Sequence, residues 1–289
     1  MKHILYNPHS GNGRGLTAAE RCRASLDEAC VLTDMTAIAD YASYFASIAP
    51  TDGVVICGGD GTLNRFLNDV DGLVLPFDLF YFPGGTGNDF AADVGMANCE
   101  KPFLLNGYLK NLPTVTVNGK THKFINGVGF GIDGYCCEVG DKLHAVGKEA
   151  NYTAIAIKGL LFHFKPVNAT VTVDGKEYTY EHVWIAPTMH GRRYGGGMIP
   201  TPDQVRDADD PTLSLMVFHG RSKLGTLMIF PSIFSGKHVE KKKHVAVHTG
   251  KEITVRFDRP TPLQIDGETI LGVTEYSASA AVVKSEILA

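Results

Sequence analysis

The chain has 289 residues, 44% of them hydrophobic and 20% charged, with a formal net charge of −4. That length can bury a large core, in one domain or in two, and the composition is that of a soluble globular protein. The acidic balance excludes a global field that would draw the chain to nucleic acid.

The cysteines, Cys22, Cys30, Cys57, Cys99, Cys136 and Cys137, form no C-x-x-C pair, and no histidine cluster has zinc spacing. They read as reduced thiols of a cytosolic protein. The start, MKHILYNPHSG, turns polar after three apolar residues, unlike a signal peptide. No apolar run reaches the ~18 residues of a membrane span. The best candidate, 224–234, is short and holds Gly225 and Pro231.

Strand and helix alternate through the first third. Residues 3–6 form a short apolar strand ending at NPHSGNGRG. Residues 16–29 have helical composition, with Ala18, Ala19, Cys22 and Leu26 near one face. A second helical segment spans 36–48, where Ile38, Tyr41, Ala42, Phe45 and Ile48 keep helix spacing. Residues 53–57 are a continuous apolar run, as in a parallel strand buried on both faces. After GGDGT, Leu63, Phe66, Leu67 and Val70 recur at i, i+3, i+4 and i+7, which predicts a helix. Residues 79–82 are another apolar strand, ending at PGGTGNDFAADVG. This order predicts a parallel α/β domain.

Near residue 114 the pattern changes. Residues 114–117, 170–173, 178–180, 183–186, 213–218, 244–248 and 253–257 read as strands, some joined by Asn-Gly and Asp-Gly turns. Only 141–164 and 224–234 read as helical. The expectation is a nucleotide-binding α/β domain over 1–114 and a mostly antiparallel β domain over 115–275, with 276–289 able to pack back on the first.

Gly-rich turns at 7–15, 58–62 and 84–89 fall at the carboxyl ends of predicted strands, the edge where open α/β sheets bind ligands. Glycines let backbone N–H groups approach an anion, and a helix N-terminus adds a favourable dipole. The spacing is neither a P-loop nor the dinucleotide fingerprint G-x-G-x-x-G. The acids among the glycines are informative. A carboxylate repels phosphates unless a divalent cation lies between, or unless it takes a proton from an incoming hydroxyl. Asp60 and Asp89 both suit Mg²⁺-assisted phosphoryl transfer. Plainer alternatives stand beside this: a turn or helix cap at Asp60, and a cap of a short helix over 90–94 at Asp89.

NPHSGNGRG, GGDGTLN and GGTGNDFA, in that order and spacing, resemble the catalytic domain of the diacylglycerol kinase family of lipid kinases, which includes soluble bacterial diacylglycerol kinases and the sphingosine and ceramide kinases. The resemblance continues through FINGVGFGID, YGGGMIPTP and QIDGE and covers nearly the whole chain. GGDGT alone also occurs in NAD kinases, but the Asn-Asn-x-Glu motif of that family is absent.

The resemblance implies a Rossmann-like parallel α/β domain followed by a mostly antiparallel β-sandwich domain, with the active site in the cleft between them. It implies that Asn7, Pro8, Ser10, Gly11, Thr36, Gly58, Gly59, Asp60, Gly61, Thr62, Asn64, Gly85, Thr86, Asn88 and Asp89 serve ATP. Thr36 has a plain N-cap as its alternative. Glu268 matches the proton acceptor of bacterial members, and Asp60 matches the base of the sphingosine kinases. Both are carried. Alone, Glu268 would be a surface acid after an Asp-Gly hairpin turn.

Asp133 matches an acid near the lipid headgroup, and Asp89 is a second substrate contact. Asp210 stands where bacterial members hold a structural Mg²⁺, but Pro211 replaces a glycine there. The expected cofactors are ATP and Mg²⁺. The expected partners are a lipid and, transiently from the cytoplasm, the membrane surface, touched through 224–234 and the basic run KHVEKKKH. A homodimer is compatible with the sequence, and no nucleic acid is expected.

Overall fold

The computed structural model describes residues 1–110, 112–148 and 150–280, in two compact units that meet in sequence between Leu112 and Pro113. The first unit is built on a five-stranded sheet of β1 (Lys2–Tyr6), β2 (Cys30–Asp34), β3 (Gly53–Gly58), β4 (Asp78–Pro83) and β5 (Phe103–Leu104). Their spatial order is β2-β1-β3-β4-β5, with β1 to β4 parallel and β5 antiparallel. The chain moves outward to β2 on one side of β1 and returns to β3 on the other. The switch point therefore lies between β1 and β3, where such sheets open a crevice. Every residue of β3 is buried, as its unbroken apolar run requires.

Helices α1 (Ser10–Gly13), α2 (Gly15–Ala24), α3 (Tyr41–Ala46), α4 (Asp60–Asp69) and α5 (Asp89–Asp93) cover this sheet. On one face Ala18, Ala19 and Cys22 of α2 pack on Ile4, Val55, Cys57 and Phe82. Elsewhere Tyr41, Phe45, Phe66 and Phe77 form an edge-to-face aromatic cluster.

Two expectations change here. The helix expected over 16–29 stops at Ala24, and β2 follows it. The segment expected as one helix over 36–48 is a 3₁₀ turn at Met35–Ala37 and then α3. Asp40 caps α3, accepting from the Ala42 and Ser43 N–H groups at 3.1 Å each.

The second unit holds β6 (Thr114–Val117), β7 (Lys120–Lys123), β8 (Gly127–Phe130), β9 (Val167–Val173), β10 (Lys176–Val183), β11 (Thr188–Met189), β12 (Leu213–Phe218), β13 (Val245–Gly250), β14 (Glu252–Ile265) and β15 (Glu268–Ser279). They form one antiparallel network. The long β14 links its leaves: residues 253–257 pair with β9, and 263–265 with β8. Val115, Phe130, Val171, Val217, Val255 and Tyr276 share one core, so the network folds over itself in the manner of a sandwich.

Helices α6 (Ile132–Ala145), α7 (Tyr152–Lys158) and α8 (Lys223–Ile229) pack on this sheet. The helix expected over 141–164 instead begins at Ile132 and breaks after Ala145, where Gly147 takes φ +69°. α7 then runs into a π-helical turn at Gly159–His163. Residues 276–279, allowed by the sequence to return to the first domain, complete β15 against β6. Residues 281–289 lie outside the described residues.

Candidate active site

The three Gly-rich turns of the first unit touch one another. A Cβ on Gly85 would stand 2.4 Å from Gly59 Cα, one on Gly84 would stand 2.7 Å from Ala18 Cβ, and one on Gly11 would lie 3.5 Å from the Gly84 carbonyl oxygen. Gly58 accepts twice, from the Gly84 N–H at 2.8 Å and the buried Tyr81 hydroxyl at 2.9 Å. Glycine on glycine brings the backbones of two turns together with no side chain between them. Asn7 holds its own turn: its side chain accepts from the His9 N–H at 2.9 Å, and its carbonyl accepts from the Ser10 hydroxyl at 2.8 Å. A Cβ on Gly15 would fall 1.9 Å from that carbonyl oxygen.

The N-terminus of α4 opens at this point, with Gly59 as its cap. The N–H groups of its first turn have no intrahelical acceptor and carry the positive end of the helix dipole, which suits a phosphate. Thr62 and Asn64 are buried in that turn. The Thr62 side chain lies against Gly58, and Asn64 accepts from the Asn68 amide through its carbonyl at 3.0 Å. Both support the turn from beneath.

Asp60 reaches across to α5. Its Oδ2 accepts from the Asp89 N–H and its Oδ1 from the Phe90 N–H, each at 2.9 Å. The carboxylate therefore caps a helix 29 residues further along the chain. Asp89 itself is the buried first residue of that helix rather than its cap. Asn88 precedes it in the left-handed region at φ 51°, and its side chain accepts from the Gly85 N–H at 2.9 Å. An acid can sit among these glycines because the N–H groups of a helix N-terminus already meet its charge. Thr36 follows β2 at the same sheet edge, but its N–H and hydroxyl both donate to Asp34, at 2.8 and 2.7 Å. Asp34, not Thr36, is the cap of that turn. Thr86 is exposed.

In the second unit a buried acid stands on the sheet. Asp133 lies in the first turn of α6, and its Oδ2 accepts from the buried Tyr194 hydroxyl at 3.2 Å. A Cβ on Gly129 would meet that oxygen at 1.7 Å and the Gln264 amide at 2.5 Å, so only glycine leaves room. Asp133 Oδ1 is buried with no hydrogen-bond partner. Burial pushes the carboxyl up to about 6, against the pull of the Gly134 N–H, the Tyr194 hydroxyl and the Gln264 amide.

The register sets Gly129, Gln264 and Thr269 in one row and Val128, Ile265 and Glu268 in the next. Glu268 is exposed and opens β15 directly after the Asp266-Gly267 turn. Asp266 faces inward: its carboxylate accepts from the N–H groups of Ile125 (2.5 Å), Asn126 (2.8 Å) and Gly127 (2.9 Å). The buried Arg206 adds bonds to the Ile125 carbonyl and, at 3.0 Å, to the Asn126 side chain. Burial and Arg206 hold His190, beside them, down to about 3 and so neutral. The motifs FINGVG and QIDGE are thus two halves of one hydrogen-bonded joint.

A model of the diacylglycerol kinase catalytic domain matches residues 2–115, and a model of the YegS C-terminal NAD kinase beta sandwich-like domain matches residues 126–283. The chain belongs to the diacylglycerol kinase family of lipid kinases. A diacylglycerol kinase of Mycobacterium tuberculosis is 27% identical over 270 residues, 89% of this chain and 84% of its own. A diacylglycerol kinase of known structure from Bacillus anthracis str. Sterne superposes at TM-score 0.60 and 19% identity, covering 99% of this chain and 95% of its own. Another diacylglycerol kinase structure from that organism gives TM-score 0.65 and 22% identity, over 96% and 91%. These two likenesses concern the fold.

The sequence of this lipid kinase did not single out Tyr81, Tyr194, Gln264, Asp266 or Arg206. Tyr194, Gln264 and Asp266 signalled themselves only as members of motifs whose partners lie far along the chain, and Tyr81 and Arg206 lie outside the motifs altogether. At Asp210, where a structural Mg²⁺ is expected, the exposed Lys251 Nζ stands 2.5 Å from Oδ1. Among the described residues no cluster of three His, Cys, Asp or Glu could hold a metal.

Two tests follow from this geometry. Asp60→Ala strips two N–H groups of α5 of their acceptor and should cost about 0.5–2 kcal/mol, the usual range for a lost cap. Urea unfolding reads the cost, and a stability equal to wild type would end the capping role. Asp133 carries the opposite sign. Its folded pKa lies above the unfolded ~3.9, so its proton stabilises the fold at low pH, and that contribution is lost as pH rises through about 6. Asp133→Asn should therefore raise stability above pH 7, by an amount on the order of 1–3 kcal/mol, and the gain should vanish below about pH 4. A pH-independent difference in urea melts would refute this account of the buried carboxyl.

Proposed function

We propose that the protein transfers the γ-phosphate of ATP to the free hydroxyl of diacylglycerol. The observation that carries this is the contact of the three Gly-rich turns at the N-terminus of α4, in the lipid-kinase form GGDGTLN and GGTGNDFA. Backbone N–H groups of this unit bind the phosphates. Mg²⁺ carried in with the nucleotide would supply charge neutralisation at the phosphates.

Most catalysis of phosphoryl transfer lies in such positioning and charge stabilisation. Of the two candidate bases, Asp60 spends both oxygens on α5. We therefore assign the acceptor proton to Glu268 and the coupling of the 58–62 and 84–89 turns to Asp60. Asp133, buried beside Tyr194 and Gln264, belongs with the hydroxyl acceptor. Because that acceptor resides in a bilayer, the kinase works in contact with a membrane surface.

Transfer of labelled γ-phosphate from ATP to an extracted lipid panel, followed by chromatography, tests the reading. The product should be phosphatidic acid. Faster phosphorylation of NAD than of every lipid would replace it with an NAD kinase-like activity.

A further inference from the structure

Two segments far apart in sequence lie side by side in the second unit. One is α7 with its π-helical extension, Gly159–His163. The other is α8 with the 3₁₀ turn Phe230–Ser235 that continues it. Lys223 Nζ ties them, donating to the Leu161 carbonyl at 2.9 Å. Their inner residues, Ile155, Leu160, Ile229 and Ile233, are buried in one core with Trp184.

Their outer residues are also large and apolar. Phe162 is 71% exposed, Met228 68%, Leu224 66% and Ile157 41%. Phe162 lies within the π turn itself. Gly159 begins that turn because a Cβ there would meet the Tyr135 ring at 2.7 Å. Neither segment buries these side chains, and together they exceed the scattered single apolar residues of an ordinary surface.

Charge distinguishes the face further. The chain carries a net charge of −4, yet residues 151–165 and 221–239 contain no Asp or Glu. They do contain Lys158, Lys165, Arg221, Lys223 and Lys237. An apolar centre on two segments that carry cations and no acid complements a surface that is apolar within and negative outside.

We propose that this face, centred on Phe162, Leu224 and Met228, seats the protein on an anionic lipid bilayer, with the three side chains in the acyl boundary and the lysines at the headgroups. The sequence-based expectation placed membrane contact in 224–234 and the lysines that follow. Leu224 and Met228 fall within that segment, and Phe162 of the π turn is added to it. In the run KHVEKKKH, His238 faces inward and its ring pairs with the Pro200 carbonyl at 2.9 Å. The proposal rests on the lipid-acceptor reading, which fixes the partner as a bilayer.

The test is co-sedimentation of the full chain with phosphatidylglycerol–phosphatidylcholine vesicles, without ATP. Phe162→Ser combined with Leu224→Ser and Met228→Ser should weaken partitioning by roughly tenfold or more, since three large apolar side chains leave the acyl region. Phosphorylation of short-chain diacylglycerol dispersed in water should stay unchanged. Should the triple variant fail to fold, Lys158→Glu with Lys165→Glu should lower partitioning onto anionic vesicles, and added salt should do the same to wild type.

Unchanged partitioning in a folded triple variant would overturn the proposal, and so would equal binding to pure phosphatidylcholine. A dimer broken by the triple variant while vesicle binding persists would assign the face to a second copy of the chain. Vesicle binding that depends on these residues, in a protein that phosphorylates no lipid, would sink the acceptor assignment and leave the docking surface standing.

Discussion

Gly85→Ala should raise the KM for ATP by about tenfold or more, equivalent to ~1.4 kcal/mol of lost binding. The added Cβ would lie 2.4 Å from Gly59 Cα, backbone against backbone, so no flexible side chain can yield. The 58–62 and 84–89 turns must separate, and the N–H groups proposed to meet the phosphates move with them. The chain should still fold, because the strain is confined to a turn at the sheet edge. Gly107→Ala is the matched control, since nothing lies within 4 Å of a Cβ there. ATP titration of both variants decides the matter: equal affinities would remove the turn contact from nucleotide binding.

Glu268→Gln should lower turnover by about 10²–10⁴, the range for a lost general base, with little change in ATP affinity. Gln keeps the shape and the hairpin, so a fall in turnover reports lost basicity. The wild-type pH–rate profile should lose its acidic limb in the variant. Asp60→Asn separates the two acids. With Asp60 in a coupling role, that variant should show its deficit in ATP KM and thermal stability more than in the pH profile. Turnover of Glu268→Gln within about threefold of wild type, a change too small for a lost base, would return Glu268 to an ordinary surface acid.

Much of the first unit was legible because its signals are local. Apolar runs such as 53–57 end at glycine turns, and a helix-spaced Leu63, Phe66, Leu67 and Val70 follows one of them. β2 was missed because it is an edge strand with mixed exposure and Val31 turned outward. β8 was missed for a reason tied to function. Gly127 and Gly129 are bare because Met189 and Asp133 occupy the space above them, and a four-residue strand that is half glycine leaves only Val128 and Phe130 to show its alternation. β15 was obscured by Gly272 at φ +71° and by register shifts where it faces β14. The partners of Asp60 and Asp266 were illegible in principle. Each hydrogen bond joins residues whose sequence separation no local pattern encodes.

The joint between Asp266 and residues 125–127 also sets an order of assembly. In the first unit the central pairing joins residues some fifty positions apart, Lys2 to Gly53, and can close early during synthesis. The carboxylate that satisfies the Ile125, Asn126 and Gly127 N–H groups arrives about 140 positions later. Closing so long a loop costs little more free energy than closing a short one, because the entropy grows only with the logarithm of length, but it makes folding slower. Until β14 leaves the ribosome, the 127–130 segment has β11 on one side and nothing on the other, and Val128 and Phe130 lack the part of their core that β14 and β15 supply. The second unit therefore spends most of its synthesis as an open sheet edge exposed to chaperones and to other nascent chains.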